Sequence, residues 1–211
     1  MADAGGYRIL AVCTGNVCRS PFLERVLRAA FDRLAVETGR AEWASGIDVA
    51  SAGTNALIGS PMTVEMLALA EAYRIPATPH VARQLEPAHL TDADLVLALA
   101  RAHRAAVART LPTASRRAFT LLEFARLLED AADSGATIGA GPVPATMTAL
   151  VDAAAMRRGL AIAPEDPADD DIEDPYGRDD ATYRRSSAAI LDAARRIMTS
   201  IERLTGTEVA R

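Results

Sequence analysis

The sequence YRILAVCTGNVCRSP, residues 7–21 of a 211-residue chain, decides the fold. Tyr7–Val12 is a short run of apolar strand formers. Pro21 opens a stretch in which apolar residues recur at three- and four-residue spacing, as on a helix. Between them, Gly15 and Asn16 tolerate the left-handed backbone of a tight turn. A buried strand that turns tightly into a helix is typical of a ligand-binding α/β sheet.

The rest of the chain repeats this alternation of strand and helix. Further strands are predicted at Ile47–Ala52, Ala93–Ala100 and Arg117–Leu121. Helices are predicted at Pro61–Tyr73, after residue 100, at Ala145–Leu160 and at Asp180–Leu204. The pattern predicts an α/β fold with an open, mostly parallel four-stranded sheet and helices on both faces. We expect a single domain over residues 1–211.

Composition narrows the classes of partner. Half of the residues are apolar, the 23 basic residues are all arginine, and the formal net charge is −5. Nucleic acids and anionic membranes both require a basic surface, and no apolar run approaches the roughly 18 residues of a membrane span. The start of the chain carries no targeting signal, so we expect a cytoplasmic protein. Two cysteines are too few for a disulfide framework or a structural zinc site.

The turn after the first strand carries a nucleophile and an anion cradle. Cys13 faces a helix N-terminus, whose free N–H groups favour an anion and the thiolate form of cysteine. Arg19 offers a planar fork for two oxygens of a tetrahedral anion. The Ser20 hydroxyl can donate to the Cys13 sulfur. These groups predict attack on phosphorus through a cysteinyl-phosphate intermediate, chemistry for which we expect no cofactor and no metal.

Cys13–Pro21 resembles the signature loop of the low-molecular-weight protein tyrosine phosphatases. Three further matches follow in order: Ser51-Ala-Gly-Thr54, His80-x-x-Arg83-Gln-Leu85 and Asp174-Pro-Tyr-Gly177. The resemblance covers most of Tyr7–Leu204, apart from a helical or loop insertion over roughly Leu128–Ile172. That insertion either covers the site or binds a partner, or it is a surface decoration, the interpretation we favour.

The resemblance implies roles for individual residues. Cys13 would attack phosphorus, Arg19 would hold the phosphoryl oxygens, and Asp174 would protonate the departing phenolate and later activate water. A tyrosine leaving group has a pKa of about 10, so a positioned acid helps at neutral pH. Asp171 and Glu173 are rival acids, but only Asp174 precedes a proline and an aromatic residue. The remaining phosphate-binding residues would be Thr14, Gly15, Asn16, Val17, Cys18 and Ser20.

The resemblance also implies a buried polar network formed by Asn16, Ser20, Ser51 and His80. We expect His80 to orient the loop rather than to act as a base. His89 and His103 are expected to be structural or exposed. Cys18 has two open interpretations: a small buried residue under the loop, or a partner for a protective disulfide with Cys13.

The pocket walls point to one branch of the family. Asn55–Gly59 lacks the aromatic residue of the eukaryotic members and resembles bacterial members linked to exopolysaccharide tyrosine kinases. Leu57 would therefore supply an aliphatic wall and Tyr176 the aromatic one. The expected partner is a tyrosine-phosphorylated protein, and a kinase of exopolysaccharide export is a candidate.

Two alternatives belong to other functional classes. An arsenate reductase on the same scaffold would need a small external thiol, because no cysteine follows Cys18. A silent phosphopeptide-binding module would lack Cys13, Arg19 or Asp174, and all three are present. The acidic run Asp169–Asp171 is expected to be a solvated loop rather than a cation site.

Overall fold

The computed structural model describes residues 6–76 and 79–207. The first five residues, where the sequence predicts no targeting signal, lie outside this range. The strands are β1 (Tyr7–Cys13), β2 (Ile47–Gly53), β3 (Leu95–Ala98) and β4 (Ala118–Thr120). The α-helices are α1 (Arg19–Thr38), α2 (Glu42–Ser45), α3 (Val64–Ala72), α4 (Pro87–Asp92), α5 (Arg101–Thr110), α6 (Leu121–Asp133), α7 (Val143–Arg157) and α8 (Asp180–Thr205). Two 3₁₀ helices cover Pro112–Arg117 and Pro167–Asp170.

The four strands form one parallel sheet in the order β2-β1-β3-β4. This confirms the predicted fold class, and every pairing is parallel. Cys13, the last residue of β1, pairs with Gly53, the last residue of β2. The turn after β1 therefore lies at the carboxyl edge of the sheet beside the loop after β2, where open α/β sheets bind ligands.

Successive residues of β1 face opposite sides of the sheet, and each side has its own core. Ile9 and Ala11 belong to the larger cluster, which also contains residues of α1, α6, α7 and α8. Leu10 and Val12 belong to the smaller cluster, with Leu90 of α4 and Val107 of α5. Burial on both faces explains why β1 and β3 read as nearly continuous apolar runs.

One long helix was not predicted. Helix α6 begins where Thr120 and Glu123 form a reciprocal capping box, and it buries one face against α8. The expected insertion begins at Leu128, inside this helix. A capping box before an apolar run was the available sequence signal.

Helix α7 begins near the amino edge of the sheet. Arg40, just past the end of α1, donates a 2.7 Å hydrogen bond to the carbonyl of Gly141, just before α7. Because α1 begins at the carboxyl edge and runs back along the sheet, its end marks the amino edge. Among the described helices, none is both long and apolar enough to cross a bilayer.

Candidate active site

The turn between β1 and α1, residues 13–19, is called the phosphate loop below. The carbonyls of residues 13–15 accept hydrogen bonds of 2.9–3.0 Å from N–H groups of the loop after β2. The carbonyl of Val17 accepts one of 2.9 Å from Thr63. Within residues 6–76 and 79–207, the N–H groups of residues 14–18 donate to no protein acceptor. They are therefore available to an anion.

Asn16 holds the phosphate loop in shape. Its φ of 56° lies in the left-handed region, which asparagine tolerates better than most residues. Its side-chain nitrogen donates to the Ser20 hydroxyl at 3.0 Å and to the Ser51 hydroxyl at 2.9 Å. Its side-chain oxygen accepts from the Arg83 N–H at 2.9 Å. The fully buried amide is thus paired on both sides, as a buried polar group requires.

Two charged residues that were not predicted for the site extend this network. The Ser51 hydroxyl donates to Glu24 at 2.7 Å, and the Arg83 guanidinium donates to the Ser51 carbonyl at 2.7 Å. Arg83 belongs to the motif that starts at His80, so the sequence could have indicated that it lies near the site. Glu24 lies on α1 with no such mark.

Gly53 explains why a glycine follows Ser51 and Ala52. A Cβ at this position would lie 2.4 Å from the carbonyl oxygen of Thr14, closer than atoms can approach. The end of β2 therefore packs directly against the backbone of the phosphate loop.

Cys13 lies buried at the floor of the site. Its sulfur is 3.0 Å from the Ser20 hydroxyl oxygen. Asn16 donates to that same oxygen, so the Ser20 proton is left free to point towards the sulfur. A hydroxyl donor in this place stabilises a thiolate.

Arg19 is buried beside the loop, with 5% of its side chain exposed. One terminal nitrogen donates to the carbonyl of Ile172 at 2.9 Å, and the other forms an ion pair with Asp174. Its Nε is buried and has no partner among the described residues. A buried guanidinium nitrogen without an acceptor is costly unless a ligand completes it.

Residues 171–176, called the acid loop below, bring one of three acids to the site. Asp171 accepts a 2.6 Å hydrogen bond from the Arg101 N–H, and Glu173 pairs with Arg185 at 3.1 Å. Asp174 instead pairs with Arg19 and lines the pocket, with 49% of its side chain exposed. The structure therefore separates Asp174 from its two rivals by position.

These groups line one pocket of about 160 Å³, formed by Cys13, Thr14, Gly15, Val17, Cys18, Arg19, Asn55, Leu57, Asp174 and Tyr176. Leu57 and Tyr176 are exposed and form its rim. Asn55 was not among the predicted site residues. The sequence did place it in the loop with Leu57, but nothing marked its side chain.

Cys18 lies under the loop, with its sulfur 3.6 Å from the Thr63 hydroxyl and 3.9 Å from the Tyr183 hydroxyl. Burial raises the pKa of the Cys18 thiol to about 11, so it is protonated at neutral pH. Both cysteines are free in the structure. A disulfide between Cys13 and Cys18 stays a prediction.

Two histidines contact the phosphate loop. The His80 Nε2 atom lies 2.6 Å from the carbonyl oxygen of Asn16, and burial lowers the pKa of His80. The His103 Nε2 atom lies 2.9 Å from the Thr14 hydroxyl oxygen. Burial, and then the nearby Arg19 cation, lower the pKa of His103 to about 4. Both rings are thus neutral at pH 7.

The acidic run before the site is matched by arginines. Asp170 pairs with Arg126 at 3.1 Å, and Asp171 pairs with Arg101 at 3.0 Å. No group of three metal-ligating side chains occurs within the described ranges.

Comparison with known proteins identifies relatives that are named as protein phosphatases. The family profile for low molecular weight phosphotyrosine protein phosphatase matches residues 8–133, more than half of the chain. A protein-arginine-phosphatase from Geobacillus stearothermophilus is 34% identical over 56% of this chain and 71% of that protein. The low molecular weight protein-tyrosine-phosphatase Ptp of Acinetobacter johnsonii is 30% identical over 54% of this chain and 70% of that protein. The low molecular weight protein-tyrosine-phosphatase Wzb of Salmonella typhi is 34% identical over 50% of this chain and 62% of that protein.

Solved structures agree over more of the chain. The YwlE arginine phosphatase from Geobacillus stearothermophilus superposes with a TM-score of 0.62 at 26% identity, over 93% of both chains. The tyrosine phosphatase AmsI of Erwinia amylovora gives a TM-score of 0.61 at 22% identity, also over 93% of both chains, and shows the fold alone. The fold match extends well past residue 133, where the profile match ends.

Proposed function

Because the chain belongs to the low molecular weight phosphotyrosine protein phosphatase family, we propose that it hydrolyses phosphotyrosine in proteins. The observation that carries the proposal is the pocket itself, where Cys13, Arg19 and Asp174 meet. A nucleophile, an oxyanion clamp and an acid in one cavity are what transfer of a phosphoryl group to a thiolate requires.

The first step forms a bond between sulfur and phosphorus. The Cys13 thiolate attacks the phosphoryl group while the loop N–H groups and Arg19 hold its non-bridging oxygens. The bond between phosphorus and the tyrosine oxygen breaks, and protonated Asp174 gives its proton to that oxygen. The products are the dephosphorylated tyrosine side chain of the substrate protein and a phosphocysteine at position 13.

The second step restores the enzyme. The Asp174 carboxylate takes a proton from a water molecule whose oxygen attacks phosphorus. The bond between sulfur and phosphorus breaks, inorganic phosphate leaves, and the Ser20 hydroxyl 3.0 Å from the sulfur stabilises the departing thiolate. The contact of Asp174 with Arg19 supports a role for this carboxylate in both steps.

The rim favours an aromatic substrate. Val17 and Leu57 supply aliphatic surface, and Tyr176 supplies a ring on the other side. A tyrosine ring buries apolar area against all three. We propose that the substrate is a tyrosine-phosphorylated cytoplasmic protein. The resemblance to the exopolysaccharide-linked branch makes a bacterial tyrosine kinase of exopolysaccharide export the candidate substrate.

A second candidate substrate is phosphoarginine, because a relative with 34% identity is named a protein-arginine-phosphatase. Its cationic guanidinium would lie against the same aliphatic rim, which offers it little. An arsenate reductase is not favoured, since these relatives are phosphatases and reduction of arsenate gives Asp174 no phenolate to protonate.

The test is phosphate release from a phosphotyrosine peptide in the presence of a chelator, with Cys13→Ser alongside. We expect release by the wild type and none by the variant. A phosphoarginine peptide and a small aryl phosphate are assayed in parallel. Release from phosphoarginine alone would move the substrate to the second candidate, and equal turnover by Cys13→Ser would overturn the mechanism.

A further inference from the structure

A basic groove begins beside the pocket and runs along α5. It has a volume of about 540 Å³ and is lined by Arg101, Arg104, Ala105, Ala108, Ser115 and Arg158. None of these residues lines the pocket described above. The roles derived for phosphoryl transfer leave this groove unused.

The groove lies in the most basic part of the chain. The 28 residues from Leu95 to Leu122 contain five arginines and no aspartate or glutamate, in a chain whose formal net charge is −5. Because acidic residues outnumber basic ones elsewhere, the positive charge is concentrated on α5 and the turn that follows it.

Two carboxylates, Asp171 and Glu123, pair directly with the three arginines of the groove. The charges of Asp166 and Asp170 act on Arg101 from farther away. Arg104 and Arg158 both pair with the same carboxylate, Glu123, at 2.8 Å and 3.0 Å. Two cations on one anion leave one positive charge in excess. Arg109 and Arg116 are exposed and have no carboxylate partner within the described ranges.

The first turn of α5 connects the groove to the phosphate loop. His103 lies between Arg101 and Arg104 in the chain, and its ring contacts Thr14 of the phosphate loop at 2.9 Å. Arg101 pairs with Asp171, three residues before Asp174. The groove arginines are therefore positioned to meet a peptide that leaves the pocket on this side.

We infer that this groove binds acidic residues that flank the phosphorylated side chain of the substrate protein on one side. The inference rests on the proposed function of the adjacent pocket. A chain of net charge −5 repels an acidic, phosphorylated partner over most of its surface. A local basic surface offsets that repulsion and orients the partner where it must bind.

Matched peptides test this inference. Each carries one phosphotyrosine and three glutamates on either its amino or its carboxyl side, with glutamines in place of the glutamates in the control. We expect one acidic arrangement to lower KM about fivefold at low salt, since a few exposed ion pairs are each worth little. The advantage should disappear at about 0.5 M salt, where screening is strong.

Ala105→Glu places a negative charge in the groove without removing any contact of an arginine, and Ala105→Gln is its uncharged match. We expect Ala105→Glu to abolish the preference for the acidic flank and Ala105→Gln to keep it. Ser115→Glu and Ser115→Gln repeat the comparison at a residue that lines the groove from outside α5. Turnover of a small aryl phosphate should be the same in all four variants.

Binding of the peptides to Cys13→Ser, read by fluorescence anisotropy, measures the groove without turnover. If the wild type hydrolyses no phosphotyrosine peptide, the proposed function fails, while this binding still reports on the groove. Equal affinity for acidic and neutral flanks, or equal behaviour of Ala105→Glu and Ala105→Gln, would overturn the inference. Displacement of the peptides by single-stranded RNA, without any difference in affinity between acidic and neutral flanks, would also overturn the inference.

Discussion

The phosphate loop and the acid loop meet in one pocket but are held by different forces. The phosphate loop is buried, and Asn16 and Ser51 join it to β2 through uncharged hydrogen bonds. In the acid loop, Ile172 is buried, its N–H donates to the Leu99 carbonyl and its carbonyl accepts from Arg19. Asp171 and Glu173 on either side of it are held by more exposed ion pairs with arginines. Buried hydrogen-bond networks fix geometry, whereas exposed ion pairs are weak and screened by salt. We therefore expect the half of the site proposed to bind phosphate to be more rigid than the half proposed to transfer protons.

Replacement of the one cation that joins the two loops should have the largest effect. We expect Arg19→Lys to lower kcat/KM for an aryl phosphate by about 10²–10³-fold, because an ammonium cannot hold two oxygens as the guanidinium fork does. Steady-state kinetics measures this, with Arg33→Lys, an exposed position on the same helix, as control. A loss below tenfold would contradict a two-oxygen clamp.

Removal of the acid should follow in size. Asp174→Asn should lower kcat by about 10²-fold for phenyl phosphate and less for nitrophenyl phosphate, whose leaving group needs no proton. The neighbouring Glu173→Gln, which only loses its pair with Arg185, should change kcat little. If the loss is the same for every leaving group, another residue supplies the proton.

The buried network should respond as a unit. Asn16→Ala removes the amide donor to Ser51, leaves the Arg83 N–H without its acceptor and forces alanine into the left-handed region. We expect the free energy of unfolding to fall by about 2–4 kcal/mol, with kcat reduced as well. Denaturant unfolding tests this. Asn55→Ala, at an exposed position whose side chain forms no hydrogen bond with the described residues, should leave stability unchanged, and equal effects would disprove the distinction.

Acid should weaken the fold through His103. Its pKa falls from an ordinary value near 6.5 to about 4 on folding, so the unfolded chain binds the proton more readily below pH 6.5. Stability should therefore decrease as the pH falls from 6.5 to 4 and then level off with respect to this group. His103→Asn should reduce that loss by about 1–3 kcal/mol in denaturant unfolding at pH 4.5 compared with pH 7. An unchanged pH dependence would exclude His103 as its source.

Loss of an acid-loop anchor should be the mildest change. Arg101→Gln removes the exposed pair with Asp171, and we expect kcat to fall about two- to threefold at low salt and not at high salt. Arg185→Gln, which releases Glu173, is the matched variant at the other side of the loop. A loss above tenfold, or one that salt does not reduce, would show that the acid loop is as rigid as the phosphate loop.

The same contrast explains what could be predicted. The order of the strands and of the other helices followed from periodicity, although α2, α4 and α6 were not predicted and the capping box of α6 at Thr120 and Glu123 was overlooked. Cys13 and Arg19 were found because they lie in one short loop whose conformation is local. Asp174 required a match to a family motif, since nothing in its immediate sequence excludes Asp171 or Glu173. Glu24, Asn55 and His103 were not assigned to the site, because only folding brings them there.

By itself, the sequence determined that a cysteine and an arginine would share one anion-binding turn at the carboxyl edge of a parallel sheet. That information is local, because a strand, a turn and a helix in succession fix where their side chains point. Only the tertiary structure decided which acid reaches the pocket, which buried groups hold the turn, and that α5 carries its arginines to the rim. Those contacts join residues from 35 to 153 positions apart, and their partners are chosen by packing and charge pairing that no short stretch of sequence contains.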